Sequence, residues 1–153
     1  MNEMVVQQQV DAPAETVWRV VTDVEHAAEF ISGITHIERV DTGSDFVAGF
    51  SWRETRRMFG KEVTELMTVV AVEEGHSYDV ESISRGANYY STVTVAASGS
   101  GSMLTMRFRG EAQGTVNKLL VNLVGRLFAG VNRKAMQQDL LDIAAVAEQN
   151  SRT

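Results

Sequence analysis

The segment Thr115–Glu148 carries Leu119, Leu120, Leu123, Leu127, Val131, Leu140, Ile143 and Ala147 at helical spacing. That stripe predicts one long amphipathic helix. Almost everything between Thr35 and Gly114 reads as strand instead. A flat sheet cannot bury a single helix of that length. A sheet that curls around it can, and such a sheet tends to leave a hollow between itself and the helix. The order of elements therefore predicts a container for an apolar small molecule.

Met4–Val10 mixes β-branched residues with glutamines and reads as a first strand. Pro13 suits the first turn of a helix, where its missing N–H loses nothing, so a helix is expected from Pro13 or Ala14. Val17, Trp18, Val20 and Val21 give it an apolar face. Asp23 is placed to cap a second short helix, Glu25–Phe30. From Ile34 the period changes to strands at Ile34–Val40, Val47–Met58, Val63–Val72, Tyr78–Ser84, Ala87–Ala97 and Met103–Arg109. Turn signals separate them at Thr42-Gly43-Ser44, Phe59-Gly60-Lys61, Glu73–Gly75, Arg85-Gly86 and Ser98–Gly101, the rhythm of an antiparallel meander. In the last strand Leu104, Met106 and Phe108 share one face, while Met103, Thr105, Arg107 and Arg109 share the other. Gly125 and Gly130 interrupt the long helix, and the final polar residues are expected to fray.

The chain has 153 residues, the size of one domain spanning 1–153, and a net charge of −6. That charge argues against a nucleic-acid partner, whose phosphates need a basic face. With no cysteine there is no disulfide, thiolate nucleophile or cysteine metal ligand. Met1–Val10 shows no signal-peptide pattern, and no apolar stretch is long enough for stable membrane insertion, so a cytoplasmic location is expected.

The run Val10–Trp18 (VDAPAETVW), Asp23 followed by Glu29-Phe30, the segment Gly49–Trp52 (GFSW), the hairpin Met58–Lys61 (MFGK) and the terminal helix together resemble the SRPBCC or START-like superfamily, close to its bacterial polyketide cyclase/dehydrase-type members. The resemblance covers nearly the whole chain. It implies an α+β helix-grip fold: a curved seven-stranded antiparallel sheet wrapped around a long C-terminal helix, with two short helices after the first strand. Lipid carriers, hormone receptors, cyclases, dioxygenase subunits and chaperone activators share this fold, so it does not choose a function.

His26, His36 and His76 are scattered, with no metal-ligand spacing, and read as surface histidines; no metal and no cofactor is expected. No nucleophile elbow or phosphate loop is present. Arg53, Arg56, Arg57 and Lys61 surround a hairpin tip, where anion binding competes with the simpler reading of solvated edge charge. Phe50, Trp52, Met67, Tyr78, Tyr89, Met106, Phe108 and Met136 are the candidates for lining the hollow, against the alternative that they fill a closed core. Tyr89 and Tyr78 are the candidate anchoring donors. No catalytic residue is assigned. The expected function is binding or transport of a hydrophobic small molecule (a lipid, polyketide or aromatic metabolite) without catalysis. The alternative is a polyketide cyclase/dehydrase-like enzyme, for which Arg53, Glu54, Tyr78 and Tyr89 are the available groups; a buried carboxylate or tyrosine with a perturbed pKa would favour it.

Overall fold

The computed structural model describes residues 2–41, 43, 45–58, 60–84, 87–112 and 118–153, with the side chains of all of these except 2, 58, 84, 87, 112 and 118–132. The elements run β1 (Asn2–Val10), α1 (Ala14–Thr22), a 3-10 turn (Val24–His26), α2 (Ala27–Phe30), β2 (Ile34–Arg39), β3 (Ser51–Met58), β4 (Lys61–Glu73), β5 (Ser77–Ser84), β6 (Ala87–Ser98), β7 (Gly101–Ala112) and α3 (Lys118–Arg152). The seven strands form one antiparallel sheet in the order β1-β7-β6-β5-β4-β3-β2. From β2 to β7 it is a meander, and β1 closes on the last strand. The chain crosses between the two edges, β1 and β2, through the short helices. This is the α+β helix-grip architecture, with the curved sheet wrapped around α3.

Each short element follows from local chemistry. Pro13 holds an extended conformation before α1, and its carbonyl accepts from the Thr16 and Val17 amides. Val17, Trp18, Val20 and Val21 then turn inward as one face. The sheet bends where its register shifts, between Val69 and Ala71 in β4 and between Ile34 and His36 in β2. An extra residue on one strand raises the local twist, which is how a sheet curls around a helix. Strand β3 starts at Ser51 instead of Val47, because Gly49 has a φ of +99° that extended backbone does not allow. Val47 is left 55% exposed in the loop.

Helix α3 has 35 residues and is about 52 Å long. It continues to Arg152 instead of fraying after Glu148. Thr115, the expected start, lies outside the described residues, as do Thr42, Ser44, Phe59, Arg85 and Gly86 and the side chains of the Leu119–Val131 part of the stripe. In the C-terminal half of α3, Met136, Leu140, Ile143, Ala144 and Ala147 are buried against β1, β7 and α1. Val10, Val95 and Leu104 are each 1% exposed or less on the sheet side. This end of the sheet–helix sandwich is tightly filled. Ser102 ties it to the β1–α1 turn by donating from Oγ to the Ala12 carbonyl at 2.6 Å. Among the described residues, no helix is long and apolar enough to cross a membrane.

Candidate functional site

Cross-strand register assembles the concave face in transverse rows. One row runs Gly110–Tyr89–Ser82–Met67–Trp52–Arg39 through consecutive partners on β7, β6, β5, β4, β3 and β2. The next joins Met4, Phe108, Ser91, Val80 and Val69, with Phe50 bonded to Val69 beside them. A third joins Val6, Met106, Val93 and Tyr78. Directly opposed residues share a face. Seven of the eight sequence candidates therefore stand on the concave face, and Met136 faces the same interior from α3.

Burial grades along these rows. Val6, Val93, Val80 and Val69 are closed off, and so are Phe50, Trp52 and Tyr78. Met67, Met106 and Phe108 are only partly buried, and Tyr89 is likewise partly open. Tyr89 stacks on Phe108 with ring centroids 5.6 Å apart and planes 15° apart. The register of β6 is unbroken, so no bulge turns Tyr89 outward. Its ring lies over Gly110, where a Cβ would come within 3.2 Å of the ring carbons. The glycine gives the tyrosine room to lie flat.

Tyr78 is fully engaged in the fold. Its hydroxyl donates to the Val21 carbonyl at 3.1 Å, which docks α1 onto β5. Burial pushes its phenol above the ordinary range, with the Glu54 charge adding to the effect. Trp18 and Phe46 meet its ring edge-on at 6.0 and 4.9 Å. Phe46 then contacts Phe50, and Phe50 contacts Trp52, at 5.2 and 5.8 Å. An aromatic run therefore crosses from α1 to the start of β3.

Beyond Trp52 the face becomes ionic. The indole Nε1–H donates to Glu54 Oε2 at 3.1 Å. Arg56 Nε donates to Glu54 Oε1 at 2.6 Å. Its two terminal nitrogens donate to Asp139 on α3 at 3.2 and 2.7 Å, a bidentate pair. Burial pushes the Asp139 carboxyl above the usual carboxylate range; Arg56 opposes this, while Glu54 and Asp142 add to it. Burial also works against the Arg56 charge, but Glu54 and Asp139 outweigh it and hold its pKa above the ordinary value. One helical turn on, Asp142 accepts from both the amide and the hydroxyl of Ser32 at 2.9 Å. The Ser32-Gly33 turn is thereby clamped to α3, and Gly33 lies so close that a Cβ there would meet Arg56 Nη1 at 3.0 Å.

Sequence reasoning placed Arg56 among solvated edge charges. Arg53 and Arg57 are exposed, and Arg53 stands 3.9 Å from Glu38 on the outer face. Arg56 instead has the parity of Trp52 and Glu54 and turns toward α3. Asp139 was missed altogether. Of the histidines, His26 shares a hydrogen bond with Asp23 at 2.7 Å, and that bond raises its pKa. Among the described residues no group of histidine or acidic side chains is placed to hold a metal ion.

Solved structures show the same fold at low identity. A START superfamily protein from Mycobacterium smegmatis superposes with a TM-score of 0.73 at 14% identity, over 96% of this chain and 97% of that one. The Zhui aromatase/cyclase from Streptomyces sp. R1128 gives 0.76 at 16%, over 97% and 94%. TTHA0849 from Thermus thermophilus gives 0.77 at 19%, over 98% and 99%. No curated protein matches this chain. The SRPBCC/START-like resemblance read from the sequence is borne out, and a family model described as "Polyketide cyclase / dehydrase and lipid transport" matches residues 1–148: the chain belongs to that family.

Proposed function

We propose that this protein binds a hydrophobic small molecule between the concave face of its sheet and α3, and releases it unchanged. The observation that supports this most is the uneven covering of one continuous face. Tyr89, Phe108, Met106 and Met67 point the same way as fully buried valines yet stay partly uncovered. Large apolar groups left open on an inward face are a binding wall and not a finished core. Methionine adapts to ligands of irregular shape. Tyr89 supplies a phenolic hydroxyl at the end of an apolar body, suited to orient a bound molecule. A micromolar affinity, about −8 kcal/mol, requires an apolar contact plus one or two such bonds.

The test uses Trp52, which lies in the same row as Tyr89 and Met67. Titrating an apolar ligand is expected to change the tryptophan emission, and Trp52→Phe is expected to remove most of that change, with Trp18 as the constant background. An unchanged response in the variant sinks the placement of the site.

One observation favours turnover as a second reading. Asp139 is a buried carboxyl with a raised pKa, held against a guanidinium. A carboxyl held this way, beside a guanidinium on the inner face, is the available proton donor or acceptor of the site. Product analysis on each bound ligand separates the two readings: a product formed by the wild type and lost in Asp139→Asn supports a cyclase-like reaction.

A further inference from the structure

The polar end of the concave face has an unusual charge balance. Arg56 and Arg39 are the cations flanking Trp52 in this part of the described sheet, and each is already held between two carboxylates. Arg56 lies between Glu54 and Asp139. Arg39 lies over the Phe50 ring and pairs with Glu25 at 2.6 Å and Asp41 at 3.2 Å. Glu65 adds a further negative charge: it stands directly opposite Glu54 in the β3–β4 register and is partly buried on the same face. Like charges directly opposed across a ladder are unfavourable. The open part of the wall begins at Met67, the next residue on this face of β4 after Glu65, and continues two strands across to Tyr89.

Among the described residues, a ligand carboxylate arriving here finds both flanking guanidiniums already paired and meets two glutamates. A neutral hydroxyl meets the same glutamates as hydrogen-bond acceptors and can donate to them. Resting on the binding reading above, we infer that the ligand's polar end is an uncharged O–H donor, an alcohol or phenol, and that Glu54 and Glu65 reject the corresponding carboxylate. Fatty acids are excluded by charge, although their chains suit the wall. Glu65 is the specificity residue open to substitution, because it does not belong to the Arg56 network that docks α3.

The experiment is titration calorimetry at pH 8 with matched pairs: decan-1-ol against decanoate, and a 4-alkylphenol against the 4-alkylbenzoate of equal length. The wild type is expected to bind the hydroxyl member roughly tenfold or more tightly than the carboxylate. Glu65→Gln is expected to narrow that ratio by strengthening the carboxylate alone. A difference due only to the greater hydrophobicity of the alcohols leaves the ratio unchanged in Glu65→Gln, and that result overturns the inference. So does a carboxylate that binds the wild type as well as its partner. If neither member of either pair binds, the binding reading itself falls, and the inference with it; if both bind equally, only the inference falls.

Discussion

Replacing Arg56 by methionine separates two opposing effects that act at one place. Arg56 is the counter-ion shared by Glu54 and Asp139, so Arg56→Met leaves two carboxylates unopposed in a partly dry site. Methionine keeps the apolar stem packing, so the loss is chiefly electrostatic. Removing one partner of a buried pair costs about 3–5 kcal/mol. The Arg56 side chain is 27% exposed and that of Glu54 13%, so residual solvation brings the expected cost to about 3 kcal/mol at neutral pH. Asp139→Asn is the control. It leaves Arg56 paired with Glu54, a neutral couple, and removes a carboxylate that burial already penalises, so its expected cost is about 1 kcal/mol. For a chain of this length a loss of about 3 kcal/mol lowers Tm by about 6–12 °C. The sign with pH is fixed by the raised Asp139 pKa. Its folded value lies above its unfolded one, so the folded state holds this proton more tightly. The resulting stabilisation is fully present below the ordinary aspartate range and is lost as pH rises through the folded value. In Arg56→Met the Asp139 carboxylate has no opposing cation, so the deficit at neutral pH shrinks in acid as it takes up a proton. Urea unfolding followed by far-UV circular dichroism at neutral and acid pH measures all three chains. The reasoning is refuted if Arg56→Met stays within about 0.5 kcal/mol of wild type, or if Asp139→Asn costs more than Arg56→Met.

Asp142→Asn reports on a carboxyl shifted the other way from Asp139. Burial raises the Asp142 carboxyl, but bonds from the Ser32 amide, Gln138 and the Ser32 hydroxyl outweigh it, so its folded pKa is depressed. Its contribution is present above the ordinary aspartate range and lost as pH falls through the folded value, so the variant's deficit of about 1–2 kcal/mol at neutral pH closes in acid on urea titration. Gly101→Ala is expected to be the more disruptive change. A Cβ there lies 2.3 Å from the Val10 carbonyl oxygen, so β1 and β7 must separate at the filled end, and Tm falls by more than for any alanine replacement at an exposed strand position.

The fold was legible because its constraints are periodic. Alternation in β7 (Leu104, Met106 and Phe108 against Thr105, Arg107 and Arg109) survives into the structure as inward and outward faces. Pro13 marked the start of α1, and the glycine turns marked the hairpins. The bounds shifted where one residue's backbone overruled the pattern. Gly49 stops β3 at Ser51 although Val47 continues the apolar rhythm. Strand β7 runs from Gly101 to Ala112, further than its own composition indicates, because partners on both sides carry the ladder outward. That extension is a tertiary effect, invisible to any local window.

The ionic cluster escaped for a different reason, since each member looks ordinary alone. Arg56 sits in a stretch with Arg53 and Arg57, and a run of arginines reads as a solvated edge. Asp139 sits in a helix rich in polar residues. Yet both break a pattern the sequence already displays. The inward parity that starts at Phe50 and Trp52 continues through Glu54 to Arg56. The apolar stripe of the helix, Met136, Leu140, Ile143 and Ala147, takes in Asp139 on the same side. A charge on a buried face must neutralise, pair or remain in contact with water. Two charges of opposite sign, each on the face its element buries, are therefore each other's natural partners, even 83 residues apart. Glu54 on the same parity supplies the second carboxylate, and with Glu65 across the ladder it leaves this end of the face negative. The departures from periodicity, read together instead of singly, point to the ionic end of the concave face on β3 and α3.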